Sequence, residues 1–468
     1  MKKLLVCISF VFRLTTLYAD SLCEESSEEE VVLTLETSLP RALNYNRQIL
    51  NTQDGIVKAD YQVSIAYSEF DLRIRPNADA GYVGGGSVGS GPSYGLGAEF
   101  YKKLPQGTTI SVSPLLQKAA KSFSSILNSR ITQPLLRGFG REYAMSNLHG
   151  AQFSLRSSNR TFFIAQCQLI YRVITSLYEY VKAERSVILN AESHSRLQKF
   201  HKSSVIKARI GLSDPLDLYR AENELNHAEE SLKSSQEKFQ ESEDAIRDIL
   251  ALPPNAKLIV NIPVFYTQDP ISLDEAIEMA LKNRVEIDQA YDQHIENIRL
   301  SKIAKDRLWP ELNLVLNYNN LGNDQVFTES WRKRESTWGI GFTTSTDFNP
   351  AAEQAIYDQS LLGIEVATRN IDQTISNITF DVKRALRNLD RIHQRIEIQE
   401  KQVTNAEGEL RLAQIKFDRG MGNNFDLIQA EKSLRIAQLS HWNALMDHII
   451  GEYQLRTVLG LLMEKPCL

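Results

Sequence analysis

The chain has 468 residues, 24% of them charged and 42% hydrophobic, enough for two or more folded domains. Its net charge of −5 and lack of any Lys/Arg cluster give no support to a nucleic-acid or anionic-surface role. Beyond the N-terminus no apolar run reaches the roughly 18 residues of a transmembrane helix, so residence in a membrane would require a β-barrel.

The N-terminus, MKKLLVCISFVFRLTTLYAD, has the parts of an export signal. Lys2 and Lys3 form a positive start, Leu4 to Phe12 an apolar stretch, and Leu17-Tyr18-Ala19 a cleavage site, so residues 1–19 are expected to leave. Cys7 leaves with them. Cys23 follows Asp20-Ser21-Leu22, a poor lipidation motif, and it would meet Cys467 only if the fold joined the chain ends. Cys167 lies in a helical pattern and is expected to be a small packed apolar group.

Two stretches occur twice. LTLETSLPRALNYNRQI, from Leu33, lines up with ISLDEAIEMALKNRVEI, from Ile271; Thr34 and Ser272 are helix N-cap candidates ahead of an acidic first turn. GLSDPLDLYRAENEL, from Gly211, lines up with GMGNNFDLIQAEKSL, from Gly420. The chain is therefore expected to be a duplication, 20–258 and 259–468. The offset between copies falls from about 238 to about 209 residues, so the first half carries about 29 more, the size of one β-hairpin.

Strands are expected between the markers, over about 77–135 in the first half and 311–347 in the second. Tyr94, Leu96, Ala98 and Phe100 alternate with Gly95, Gly97 and Glu99; Leu312, Leu314, Leu316 and Tyr318 alternate with mostly polar residues; so do Trp338, Ile340 and Phe342. A period of two gives each strand one apolar and one polar face, as in a barrel wall between lipid and water. The expectation is four strands in the first half and two in the second.

Long helices are expected over 141–210 and 351–419, where prolines are absent and glycines are few. Roughly 70 residues make a helix of about 100 Å. Val403, Ala406, Leu410, Ala413 and Phe417 step by three and four, as do Leu218, Ala221, Leu225, Ala228 and Leu232, and Leu427, Ala430, Leu434 and Ala437. Alternating leucine and alanine at heptad core positions lets helix axes approach closely. Gly211 and Gly420 are expected to stop these helices as C′ residues. Asp214 with Pro215, and Asn423 or Asn424, then start the returning helices of about 35 residues. Tips are thus placed at about 211–216 and 420–425. The returning helices reach only half-way, and the segments 34–70 and 272–306 have the length to complete the path.

Duplicated halves, two long helical hairpins, a few strands per half and an export signal resemble the TolC-like outer-membrane efflux protein family. The pieces that carry it are the paired tips, the SLDEAIEMAL stretch and ITQPLLRGFGRE (Ile131–Glu142), which leads from strand to helix. The resemblance implies an α+β membrane protein, with hairpins forming an α-barrel and strands forming a transmembrane β-barrel completed by trimerisation. It implies a passive homotrimeric exit duct of a tripartite efflux or type I secretion system, spanning outer membrane and periplasm. A periplasmic adaptor and, indirectly, an inner-membrane transporter are its partners, with outer-membrane lipid around the barrel. Carried over by position, an inward ring of carboxylates falls on Asp426 and a second ring position on Gln429. The latch tyrosine falls on Phe417, without its hydroxyl, the latch arginine on Gly422, without a side chain, and a first-hairpin aspartate on Asp217. Gly211, Leu212, Gly420, Met421 and Phe425 are adaptor-contact candidates. Either aspartate also reads as an acidic first-turn residue stabilised by the helix dipole.

No GxSxG, HExxH or P-loop occurs, so neither an enzyme nor a cofactor or metal site is expected. The eight histidines are scattered and are expected on solvated helix faces. The rival reading is a soluble periplasmic or secreted coiled-coil structural or adaptor protein, which would need no lipid-compatible strand faces. The sequence leaves open whether the extra hairpin widens a 12-strand wall to 18 strands or folds outside it.

Overall fold

The structure is a computed structural model that describes residues 30–84, 90–210, 215–265, 271–345, 349–419, 421 and 424–466. The export signal, Cys23 and Cys467 lie outside the described residues. The chain divides into two compact units. A hairpin unit comprises residues 1–50, 166–276 and 381–463; a sheet unit comprises 51–165, 277–380 and 464–468.

In chain order, β1 (Glu30–Leu33) leads into α1 (Leu35–Tyr45) and α2 (Arg47–Tyr67). Thr34 caps α1 through a capping box with Thr37. Asn46, at ψ 123°, divides the 34–70 segment into two helices; its Oδ1 accepts the Gln48 N–H at 3.0 Å and so starts α2. Four strands follow: β2 (Arg73–Val83), β3 (Gly91–Lys103), β4 (Thr109–Ala119) and β5 (Ser122–Pro134). Gly140, at φ +104°, turns the chain into α3 (Arg141–Ala144), a conformation that glycine takes without strain. Then come the 64-residue α4 (Ser146–Arg209), α5 (Pro215–Ile249) and the short β6 (Lys257–Val260).

The second half runs α6 (Leu273–Asn283), α7 (Val285–Asp306), β7 (Glu311–Asp324), α8 (Phe327–Arg332), β8 (Arg334–Ser345), the 68-residue α9 (Ala351–Asp418) and α10 (Asn424–Val458). Ser272 Oγ accepts the Glu275 N–H at 3.3 Å, the same cap chemistry as at Thr34. Arg284, at ψ 125°, separates α6 from α7 as Asn46 separates α1 from α2.

In the hairpin unit, β1 and β6 pair in parallel, with Leu33 opposite Val260, a pairing for which four-residue strands leave no sequence signal. Tyr178 Oη donates to the Pro263 carbonyl at 3.0 Å, and Asn46 Nδ2 to the Ile249 carbonyl at 2.9 Å. Further along, Ala406, Leu434 and Ala437 pack with Val403 and Leu410, and Ile392 and Ile396 with Ala444. The heptad positions read from the sequence are thus the packed ones. Two expectations are corrected. His448 is not on a solvated face: it is 2% exposed, with its ring 6.0 Å from His393, because its place on α10 faces α9. Cys167 is only half-buried.

The sheet unit holds one six-stranded antiparallel sheet in the order β2-β3-β4-β5-β7-β8. Directly opposed residues of an antiparallel ladder point to the same face. Ile74 opposes Phe100, and Ala78 opposes Leu96. Leu96 opposes Leu116, and Phe100 opposes Val112. Ile110 opposes Ile131, which opposes Leu316, which opposes Ile340. One face therefore carries apolar residues on all six strands, interrupted by Ser125, Ser129 and Asn320 in its middle strands. The other carries Arg75 opposite Glu99, Ser111 opposite Arg130, and Arg130 opposite Asn317. At one end, α8 lies on β5 and β7: Ser125 Oγ donates to the Ser330 carbonyl at 2.8 Å, and Phe123 meets Phe327 edge-on. Away from the sheet, Arg160 and Arg156 of α4 clasp Asp292 of α7 at 2.6 and 3.2 Å.

Candidate functional site at the hairpin ends

All the candidate residues near the helix ends fall in the hairpin unit. Gly211, Leu212, Asp214, Gly420, Gly422 and Asn423 lie outside the described residues. α5 begins at Pro215, the first helical position expected of it. At the end of α9 the Met421 N–H returns to the Lys416 carbonyl at 2.9 Å, the six-to-one bond that closes a helix terminus.

Four helices meet just short of these ends. Leu197 and Phe200 of α4, Ala221 and Ala228 of α5, Ala413 and Phe417 of α9, and Leu427 and Ala430 of α10 form one buried cluster. Alanines at the crossings bring the helix axes together, and the two phenylalanines fill the remaining space. Phe417 is 3% exposed, with its ring 5.2 Å from that of Phe200. Lys207 of α4 places its ammonium 3.3 Å from the centre of the Phe417 ring and donates to the Phe417 carbonyl at 2.8 Å. One cation thus serves both a ring face and an orphan carbonyl of the α9 terminus.

The position of the expected latch tyrosine is therefore a core position, held by a lysine of the neighbouring long helix. Asp217, expected beside it, lies in the first turn of α5 with its Oδ1 3.5 Å from Arg220 of the same helix. Asp426 and Gln429 are both exposed on α10, Asp426 in its first turn, while Leu427, Ala430 and Leu434 on the other side are buried. The carboxylate and the amide thus share a face that this chain does not cover. Met421 and Phe425 are 68% and 54% exposed, two apolar side chains in water at the turn.

Sequence reasoning missed the polar fastenings. Asn424 is buried, and its Nδ2 donates to Ser204 Oγ at 3.4 Å. Arg196 Nε donates to Glu431 Oε1 at 2.8 Å, and Glu431 is 4% exposed. Both tie α10 to α4. Glu431 lies one residue off the Leu427–Ala430–Leu434 stripe, so the heptad pattern does not mark it or its partner.

The described helices contain no segment long and apolar enough to cross a membrane. Residues 276–461, less than half of the chain, match the family model described as outer membrane efflux protein. No curated protein matches the chain by sequence. Solved structures match along nearly its whole length. The outer membrane channel CmeC of Campylobacter jejuni is 13% identical, with a TM-score of 0.73 over 92% of this chain and 86% of its own. The outer membrane protein VceC of Vibrio cholerae is 14% identical, with a TM-score of 0.71 over 91% of this chain and 96% of its own. The MtrE outer membrane channel of Neisseria gonorrhoeae, solved in its open state, is 17% identical, with a TM-score of 0.69 over 92% of this chain and 90% of its own. At these identities the likeness establishes the fold. The second half is thus similar in sequence to outer membrane efflux proteins, and the chain along nearly its whole length has the fold of these solved outer membrane channels.

Proposed function

We propose that the chain is the outer-membrane exit duct of a tripartite efflux system. Three copies close a β-barrel in the outer membrane and a helical tunnel in the periplasm. The two halves, 20–258 and 259–468, are duplicated repeats, each giving strands to the wall and one hairpin to the tunnel. The duct is passive; a periplasmic adaptor meets the hairpin ends and an inner-membrane transporter supplies the work. A type I secretion system would use the same duct with a different pump.

The observation that carries this reading is the six-stranded sheet with one face that presents apolar side chains on every strand. A coiled-coil protein living in water has no use for an uncovered face bearing Trp338 and Phe342, 77% and 69% exposed. Lipid on that face and water on the other satisfy both. The uncovered Asp426 and Gln429 then face the tunnel. Three Asp426 carboxylates, one from each copy, would repel one another and favour cations at the narrow end.

The test is single-channel recording of the detergent-extracted protein in planar bilayers. The wild type should conduct with a preference for cations, and Asp426→Asn should lower that preference, since rings of carboxylates select cations. Failure of the wild type to form channels would remove the duct reading. An unchanged preference in Asp426→Asn would remove the ring while leaving the duct.

A further inference from the structure

We propose that the β3–β4 hairpin is part of the membrane wall, so that each copy contributes six strands and three copies close an 18-stranded barrel. The inference rests on the trimeric duct proposed above and concerns what the first half's extra residues do within it.

Three observations on the sheet carry it. First, β3 and β4 are interior strands. β3 is laddered to β2 from Arg73–Tyr101 to Val83–Gly91, and β4 to β5 from Thr109–Thr132 to Ala119–Ser122. Were the hairpin outside the wall, β2 and β5 would have to give up these bonds and find each other, and unmet backbone groups in hydrocarbon are costly.

Second, the hairpin is dressed for lipid on the same side as its neighbours. Leu96, Ala98 and Phe100 of β3 and Ile110, Val112 and Leu116 of β4 continue the apolar face of β2 and β5. Its other face carries Gly95, Glu99, Ser111 and Gln117, in line with Asp79, Arg130 and Asn317. The two lysines on the apolar face, Lys102 and Lys118, sit at opposite ends of the hairpin. There a long side chain reaches the headgroups, and Lys118 covers the Phe123 ring at 5.3 Å. At 13 and 11 residues, β3 and β4 are as long as β2 and β8, with 11 and 12. Each reaches at least the upper end of the roughly 9–11 residues that a tilted strand needs to cross a bilayer.

Third, the sheet has two free edges that fit each other. β2 and β8 are exposed along nearly their whole lengths, and with six alternating strands they run in opposite directions. The β2 edge of one copy therefore meets the β8 edge of the next as an ordinary antiparallel pair, and the contact repeats around a ring. One copy closing on itself would make six strands, when about eight already leave room only for side chains. Arg75, Glu99 and Arg130 would then be inside. Adding an even number of strands also preserves the alternation, so the chain still enters the sheet from α2 and leaves it into α4 on the same side. That is how one hairpin enters a wall without disturbing the helices.

Barrel diameter grows about linearly with strand number, so 18 strands make a wall about 1.5 times as wide as 12. Such a wall leaves a water-filled lumen lined by the polar face. The hairpin ends, not the barrel, then set what passes.

The test uses the full chain in lipid nanodiscs. In end-on electron-microscopy averages the proposal expects a three-fold ring with 18 strands. A three-fold ring with a 12-strand wall overturns it and leaves the duct intact; particles without three-fold symmetry overturn both. A second measurement reads the hairpin directly, in protein whose own cysteines are replaced by serine. Gln117→Cys should react with a charged, membrane-impermeant thiol reagent at least about tenfold faster than Leu116→Cys, since only the polar face is wet. Leu116→Cys should instead accept a lipid-soluble maleimide. Equal reaction of both positions with the charged reagent places the hairpin in water and overturns the proposal.

Discussion

Phe417 shows how one side chain can hold a helix end. Its ring closes the four-helix cluster, and Lys207 binds both its face and its carbonyl, so two helices depend on one position. Phe417→Ala should cost about 3–4 kcal/mol, within the range for a buried phenylalanine truncated where neighbours cannot collapse. Thermal melting of the detergent-extracted protein checks it. Lys207→Met, which keeps the apolar stem, should cost only about 1 kcal/mol, the value of a cation–π contact plus one exchanged hydrogen bond. A second position works by having no side chain. A Cβ at Gly322 would overlap the Ser330 carbonyl oxygen, where α8 lies on β7. Gly322→Ala should therefore lift α8 from the sheet at a cost of about 1–3 kcal/mol, the usual penalty of overpacking. Faster proteolysis within 326–333 reports the displacement.

At the scale of the element, α7 and α10 each carry polar groups inside an apolar seam. Asp292 of α7 is partly buried, which alone would raise its pKa; the hydrogen bonds from Arg160 and Arg156 outweigh this and hold the carboxyl below its usual range. Arg160→Met should lower stability by about 2 kcal/mol, less than the roughly 3–5 of a fully buried broken pair, because Arg156 remains. His448 works in the opposite sense. Burial, and then the nearby His393, push its pKa below 6.5, although Glu452 Oε1 lies 3.2 Å from Nδ1 and pulls the other way. Enclosure prevails because the ring is almost wholly out of water. The unfolded chain then takes up a proton that the folded chain refuses. Stability at His448 is full above about pH 6.5 and falls as pH drops through that value towards the lower folded pKa. The melting midpoint should decline between pH 7.5 and 5.5, and His448→Gln should flatten that decline. Histidines one heptad apart were visible in the sequence, but their phase against a partner helix was not. Periodicity alone does not say which of two polar heptad positions is covered.

Across the whole molecule, the long elements were legible and the fastenings were not. Helices of 64 and 68 residues, and strands in fours and twos, announce themselves by period and by the absence of proline and glycine. The parallel β1–β6 pair, the six-residue α8 and the breaks at Asn46 and Arg284 are too short to show a period, and tertiary contacts decide them. At the hairpin ends Asp426 and Asp217 could be located from the repeat, whereas Lys207 could not, since nothing in its own helix marks it. The sheet carries the last consequence. In the proposed duct its two edges, β2 and β8, meet only between copies, so no chain would finish its wall alone. A single-chain barrel folds into vesicles with a yield independent of its concentration, because every ladder bond is internal. In the proposed trimer the wall would form only where copies meet, and until then β2 and β8 would expose backbone groups that hydrocarbon does not tolerate. Refolding from urea into lipid vesicles should therefore give a yield of heat-modifiable trimer that rises steeply as chain concentration increases, while the helix content of α4 and α9 forms at every concentration. A yield unchanged by about tenfold dilution, in contrast to the mass action expected of an obligate oligomer, would mean that one copy closes its own wall. Steep loss on dilution would mean that assembly, not secondary structure, limits the formation of the duct.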